Sequence, residues 1–283
     1  MEFMAGLKVA LYGLHRGDNA EPQTLTRLAR MAEDAGFEAL WVGDHIALPV
    51  DGSGDPATEP RLEAVVALTH LAAVTTTIGL GFGLIVLPQR HPVLLAKQLS
   101  SLDYLSGGRL TVGIGVGWVE QELNALGVSM AERATRTDEH LAAMRALWDE
   151  PTPTFTGDYV QFAGVIQRPR PVQQPHPPII IGGHAPAALR RAVRSGNGWY
   201  GWDLDVAQTA EALTTLRSLE GRPPELGELE ITITPPQLPD ADTARRYADL
   251  GVHRLVLQPD TKDTPSMTAL IEEASKTLLS VLE

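Results

Sequence analysis

Apolar and polar positions along the chain follow two alternating rhythms. Residues 7–12, 38–42, 78–87, 110–117, 179–183, 197–202, 229–234 and 255–257 are short, dense apolar runs. They fit strands buried on both faces, as parallel sheets require. Between them, apolar residues recur at helical spacing. Pro22 opens a helix with Leu25, Leu28, Ala29 and Ala32 on one face, and Gly36 closes it. Residues 61–74 put Leu62, Val65, Val66 and Thr69 in register, and residues 93–105 do the same with Leu95, Leu99 and Leu102. Pro92 stands where that helix can start and Gly107 where it must stop. Ser129 begins a longer helix: Ser129 and Glu132 have the spacing of a capping box, and Leu141, Met144 and Trp148 share a face. Further helices are expected from Pro186 to Gly196, after the cap Asp205, over 240–250, and from Pro265 onward.

The pattern gives eight strands alternating with eight helices, which closes into a single-domain α/β (β/α)8 TIM barrel over residues 1–283. A doubly wound open sheet is the competitor. It would carry its glycine fingerprint after the first strand, where this chain has Leu11-Tyr-Gly-Leu-His15. In a barrel the chemistry sits at the C-terminal strand ends. Two stretches are expected to cover that mouth: a loop rich in Gly, Pro and Asp at 46–60, read as mobile, and a Pro-rich insertion at 151–177 with a small hairpin near Phe155. The third apolar run contains Gly79, Gly81 and Gly83, where glycine normally weakens pairing. A bulge, a barrel-corner kink or a flat ligand lying on bare backbone would each account for them.

Composition narrows the function. Of 283 residues, 43% are hydrophobic, and no apolar run is long enough to span a membrane. A net charge of −12 argues against nucleic acid as a partner, since phosphate neutralisation needs clustered Lys and Arg. Cysteine is absent, which removes disulfides and thiolate chemistry. The first residues lack the basic and apolar regions of a signal peptide, so a cytoplasmic protein is expected. His15, His91, His184 and His253 are scattered, without the His-x-His of barrel metallohydrolases, so no metal is expected.

At the strand ends the sequence resembles the bacterial luciferase-like family, and most closely its branch of oxidoreductases that use coenzyme F420, a deazaflavin. The matching stretches are Ala35-Gly-Phe-Glu-Ala-Leu-Trp-Val-Gly-Asp-His45, Leu87-Pro-Gln-Arg-His-Pro92 with the helix that follows, Leu105-Ser-Gly-Gly-Arg-Leu-Thr-Val-Gly-Ile-Gly-Val-Gly-Trp118, and Ile181-Gly-Gly-His-Ala-Pro186 with Gly196-Asn-Gly-Trp199. They span roughly residues 7–202.

The resemblance implies a bulge with a non-prolyl cis peptide at Gly83-Leu84, behind the redox ring and next to Val86. It implies that Asp44 hydrogen-bonds the ring system and that His45 faces its reactive carbon as the catalytic residue. Histidine suits proton transfer because it titrates near neutrality. The cofactor phosphate would sit at Gly182-Gly183 and the start of the next helix, at Ala185 and Pro186, where backbone N–H groups and the helix N-terminus favour an anion. Gln121 falls where relatives place an amide against the cofactor. Some sugar-phosphate-oxidising relatives carry an acid directly after the Gly-x-Gly of the fourth strand. This chain has Trp118 there, while Glu120 and Glu122 read as structural or solvated. The implied function is hydride transfer between F420 and a small organic substrate, in a homodimer. The alternatives are an FMN monooxygenase fed by a separate reductase and a non-catalytic cofactor-binding protein.

Overall fold

A computed structural model describes residues 6–52 and 57–281. Eight parallel staves close on themselves: β1 Lys8–Tyr12, β2 Ala39–Val42, β3 Gly79–Phe82, β4 Leu110–Gly115, β5 Ile179–Gly182, β6 Gly198–Trp202, β7 Glu230–Thr234 and β8 Arg254–Leu257. Closure is made on one side by β1 against β8, with Lys8 paired to Arg254, and on the other by β3 against β4, with Leu80 paired to Leu110. The connecting helices are α1 Pro22–Asp34, α2 Ala64–Val74, α3 Pro92–Ser106, α4 Arg133–Asp149, α5 Pro186–Ser195, α6 Val206–Ser218, α7 Ala241–Asp249 and α8 Thr264–Thr277. This is the expected (β/α)8 TIM barrel.

Local chemistry sets most boundaries as expected. Gly107 ends α3 in the left-handed conformation, with φ +69°. Asp205 and Gln208 form a reciprocal capping box on α6. The box expected at Ser129 does not form. Ser129 Oγ instead accepts from the Ala131 N–H at 3.2 Å, the chain turns, and α4 starts only at Arg133. A short helix, Glu120–Ala125, precedes it. In α2 the buried face is Ala64, Val65, Ala67, Leu68, Leu71 and Ala72, while Val66 is exposed. The helix is apolar all round, so spacing alone could not choose its inner face.

Among the described residues three apolar clusters result. The largest lies between strands and helices, the second fills the barrel with Ala10, Tyr12, Ala39, Trp41, Ile180, Tyr200 and Val256, and a small third joins Val86, Leu123 and Val128. The base is closed by charge: Arg254 makes paired 2.9 Å bonds to both carboxylate oxygens of Glu38 and also bonds Glu230.

The interior is asymmetric. β1, β2 and β6 carry large aromatics, and β3, β4 and β5 carry glycines. A side chain at Gly81 would collide with the Trp41 indole, which already occupies that space. Leu84 turns inward over Gly113, Gly115 and Gly182. Most of these glycines therefore make room for neighbouring side chains and not for a ligand. Of the three in the third run, only Gly83 borders the open mouth.

The third apolar run is not one strand. β3 stops at Phe82, and Ile85–Val86 resumes pairing with β4, Val86 opposite Gly115. Between them the Gly83–Leu84 peptide is cis.

The 46–60 stretch is irregular where described, and residues 53–56 lie outside the described residues. Its end is tied down: Gly17 donates to Pro60 O and Leu62 to His15 O, both at 2.9 Å. The 151–177 insertion packs on two helices, α3 and α4. Its hairpin pairs Phe155–Thr156 with Gln161–Phe162. Glu139 of α4 accepts from Asp158, Tyr159 and Val160, and Asp103 of α3 accepts from Val172 and Gln173. The insertion is bound along the outside of those helices, and none of its residues lines the mouth.

Candidate active site

A cavity of 560 Å³ opens at the C-terminal ends of the strands. Its volume is that of a small-ligand site. β1 contributes Tyr12 and, just beyond it, Arg16; β2 contributes Gly43, Asp44 and His45; the bulge contributes Gly83 and Leu84, and the segment after it Val86. β4 adds Gly115, Gly117 and Trp118, β5 adds Gly183 and His184, and β6 adds Tyr200 and Trp202. Arg61 joins them from the segment before α2, because its backbone bridges to Arg16.

The floor is aromatic and rigid. Tyr12 meets Trp202 edge-on at 5.1 Å, and Tyr200 meets Trp202 at 6.2 Å. The Tyr200 hydroxyl bonds Thr234 Oγ1 at 2.7 Å. Burial drives its ionisation well above the ordinary tyrosine range, so it stays a neutral hydroxyl.

Both carboxylate oxygens of Asp44 are engaged. One carboxylate oxygen accepts from the Val86 N–H at 2.9 Å, and the other accepts from Arg90 at 2.7 Å. Arg90 also meets Glu63 at 2.5 Å. Asp44 thereby ties the end of β2 to the segment after the bulge. Burial pushes its carboxyl up to about 6, with Arg90 and the Val86 N–H working against that rise. A raised carboxyl stabilises the fold when protonated. Its contribution is full below the ordinary value of 3.8 and is lost as pH rises through about 6. The unfolding free energy of the wild type relative to Asp44→Asn should therefore fall by about 3 kcal/mol over that window. Urea denaturation at a series of pH values measures it, and a flat difference would refute the assignment.

His45 is largely buried, and its Nδ1 lies 3.0 Å from Glu122 Oε2. Its ring meets Trp118 edge-on at 6.1 Å. The other Glu122 oxygen accepts from the Ile46 and Ala47 N–H groups. Burial works to raise the Glu122 carboxyl, but the hydrogen bonds from His45, Ile46 and Ala47 outweigh it and hold it below the usual carboxylate range. Glu122 is 2% exposed, neither solvated nor remote. The signal for it was present: Val119, Glu122 and Leu123 share one helical face, and an acid among apolar neighbours on a buried face needs a partner.

The other expected site residues divide. Asp44, His45, Gly83, Leu84, Val86 and Gly183 come together on the cavity wall. Gly182 is buried beneath Leu84. Gln121 is exposed on the short helix, off the wall. Ala185 is the N-cap of α5 and Pro186 its first residue, both exposed beside the wall; no side chain caps that N-terminus. His184 Nε2 accepts from the Trp202 N–H at 3.1 Å, and Trp199 Nε1 donates to Gly183 O at 3.0 Å, which fixes the β5–α5 turn. Among the described residues no cluster of three or more potential metal ligands occurs, and no helix is long and apolar enough to cross a membrane.

A barrel with a bulge in its third stave and a histidine beside it defines a class of fold and site. The family model for luciferase-like monooxygenases matches residues 5–276. The chain belongs to the luciferase-like monooxygenase family, whose members are oxidoreductases and monooxygenases.

The uncharacterized Mycobacterium tuberculosis protein Rv0953c is 31% identical over 94% of this chain and 98% of its own length. An FMNH2-dependent dimethylsulfone monooxygenase of Pseudomonas putida is 30% identical over 62% of this chain and 47% of its own. Among solved structures, an F420-dependent secondary alcohol dehydrogenase in complex with an F420–acetone adduct superposes with a TM-score of 0.75 at 17% identity, covering 98% of this chain and 99% of that one. That last likeness is one of fold.

Proposed function

We propose that this chain is an F420-dependent oxidoreductase that moves a hydride between the deazaflavin and a small organic substrate. One observation carries the reading: the His45 imidazole and the main chain of Gly83–Leu84 border the same cavity. The residues fit a flat ring. At Gly83 a Cβ would lie 2.9 Å from Trp41 and 3.3 Å from Tyr200, so the floor there is bare main chain over packed aromatics. The uncapped N-terminus of α5, beside Gly183, suits an anionic tail.

When bound, a deazaflavin supplies a carbon that gives or takes a hydride. Everything else falls to the chain. Gly83, Leu84 and Val86 would seat the ring, and Gly183, Ala185 and Pro186 would lie along its phosphate. Asp44 holds the seat in shape through Val86 and Arg90. Hydride transfer to or from a carbon bearing oxygen or nitrogen also requires a proton to move, and His45 would hold it. Tyr12 and Trp202 give the cavity an aromatic floor, and Trp118 walls it beside His45. Trp118 occupies the place of the acid used by sugar-phosphate-oxidising relatives, so the substrate lies outside that class. A homodimer and a cytoplasmic setting belong to the same reading.

FMN is the second reading, favoured by the likeness to the Pseudomonas putida enzyme. Titrating the purified protein with each cofactor and following tryptophan fluorescence separates them. F420 should bind at least about tenfold tighter, a difference of ~1.4 kcal/mol. Tighter binding of FMN, with turnover that consumes oxygen, would overturn the F420 reading. F420 binding with no turnover over a broad substrate panel would mark a carrier and not an enzyme.

A further inference from the structure

We propose that Glu122 is the positioning residue of this site: it dictates which nitrogen of His45 carries the proton, and with the same carboxylate it fixes the chain leaving β2. Three donors converge on it. His45 Nδ1 approaches Oε2 at 3.0 Å, and the Ile46 and Ala47 N–H groups both point at Oε1, Ala47 at 3.2 Å. The side chain is 2% exposed, so solvent does not replace these partners.

The consequence for His45 follows from hydrogen-bond inventory. An ionised carboxylate only accepts. The nitrogen facing Glu122 must then carry the proton, and in a neutral imidazole the other nitrogen is left with its lone pair. Nε2 is therefore a proton acceptor on a residue that lines the cavity. Once Nε2 takes a proton, the imidazolium keeps its Nδ1–H against the carboxylate, and the new charge is compensated where it forms. The nearby carboxylate of Asp44 is occupied by the Val86 N–H and Arg90, with Glu63 on the other side of Arg90. Among these carboxylates, Glu122 is the one bonded to His45.

The backbone bonds belong to the same device. Ile46 and Ala47 are the first residues after His45, so the carboxylate that orients the ring also pins the main chain on which the ring is mounted. Asparagine or aspartate, one methylene shorter, would have to give up one set of partners to keep the other.

Glu122→Gln tests this with little change in shape. The Ile46 and Ala47 N–H groups demand an acceptor, so the amide oxygen goes to them and the NH2 faces His45 Nδ1. The imidazole should then invert to the Nε2–H tautomer. Nitrogen NMR of 15N-histidine-labelled protein, without cofactor, reads the tautomer directly. We expect Nδ1–H in the wild type and Nε2–H in Glu122→Gln. With cofactor and substrate, kcat should fall by about 10²-fold, the low end of a general-base contribution, while KM changes much less.

A wild-type His45 in the Nε2–H form would overturn the proposal whether or not the variant folds. So would a tautomer unchanged by the substitution, since a purely structural staple would leave the ring as it was. The kinetic arm rests on the oxidoreductase reading and the NMR arm does not. Protein that shows both tautomers as expected, yet binds neither F420 nor FMN, would refute that reading and leave the role of Glu122 standing.

Discussion

Replacing His45 by alanine should lower kcat by about 10²–10⁴-fold, the range a single general acid or base contributes. The expectation rests on geometry. The ring lines the cavity, packs edge-on against Trp118 and is bonded at Nδ1 by a buried carboxylate. Cofactor affinity should change little, because the seat proposed for the ring is built from main chain on a different stave. The fold should survive: Glu122 keeps the Ile46 and Ala47 N–H groups as partners, so the buried carboxylate is not left bare. Steady-state kinetics with a parallel cofactor titration measure both quantities. Undiminished turnover would remove His45 from the mechanism, and a parallel loss of binding would recast it as a cofactor contact.

Gly83→Val should weaken cofactor binding by about 100-fold or more, ~2.7 kcal/mol. The first added carbon already lies 2.9 Å from Trp41 and 3.3 Å from Tyr200. Neither ring can retreat. Trp41 is packed against Gly81 with the Arg254 guanidinium 5.6 Å from its ring centre, and Tyr200 is held by Thr234. The methyl groups should therefore be driven toward the cavity, into the place proposed for the redox ring. Overpacking of this kind costs about 1–3 kcal/mol, so the variant should melt earlier but remain folded. Circular dichroism and a fluorescence titration test the two halves. Unchanged affinity would take Gly83 out of the seat.

Much of the fold was legible because parallel strands and amphipathic helices write different periods into a chain. The ends of α3 and α6 could be placed from Gly107 and Asp205, whose chemistry is local. What could not be read was non-local. The inner face of α2 depends on its neighbours, since every side offers apolar residues. Ser129 has the right partner at the right spacing, but a turn at 130–132 takes its hydroxyl first. The glycines of the third run admit a bulge, a kink or a ligand on bare backbone. Gly81 answers instead to the bulk of Trp41 on β2, just as Gly113 and Gly115 of β4 answer to Leu84 in the bulge.

The site shows the same division. Asp44, His45 and Gly83 stand in motifs near strand ends, and all three line the cavity. Helical phase marks Glu122 as a buried acid in need of a partner but not which partner, because His45 lies 77 positions away and no window along the chain contains both. Gln121 sits one residue from it and turns out to solvent, which shows how sharply helical phase separates neighbours.

The plugged base of the barrel, where Arg254 locks to Glu38 and Glu230, has a bearing on traffic. With that end stoppered, the described residues leave the chamber open at the other end. Whatever seats deepest must arrive first and depart last. Turnover on such a plan is a queue, in which the later arrival bars the exit of the earlier one.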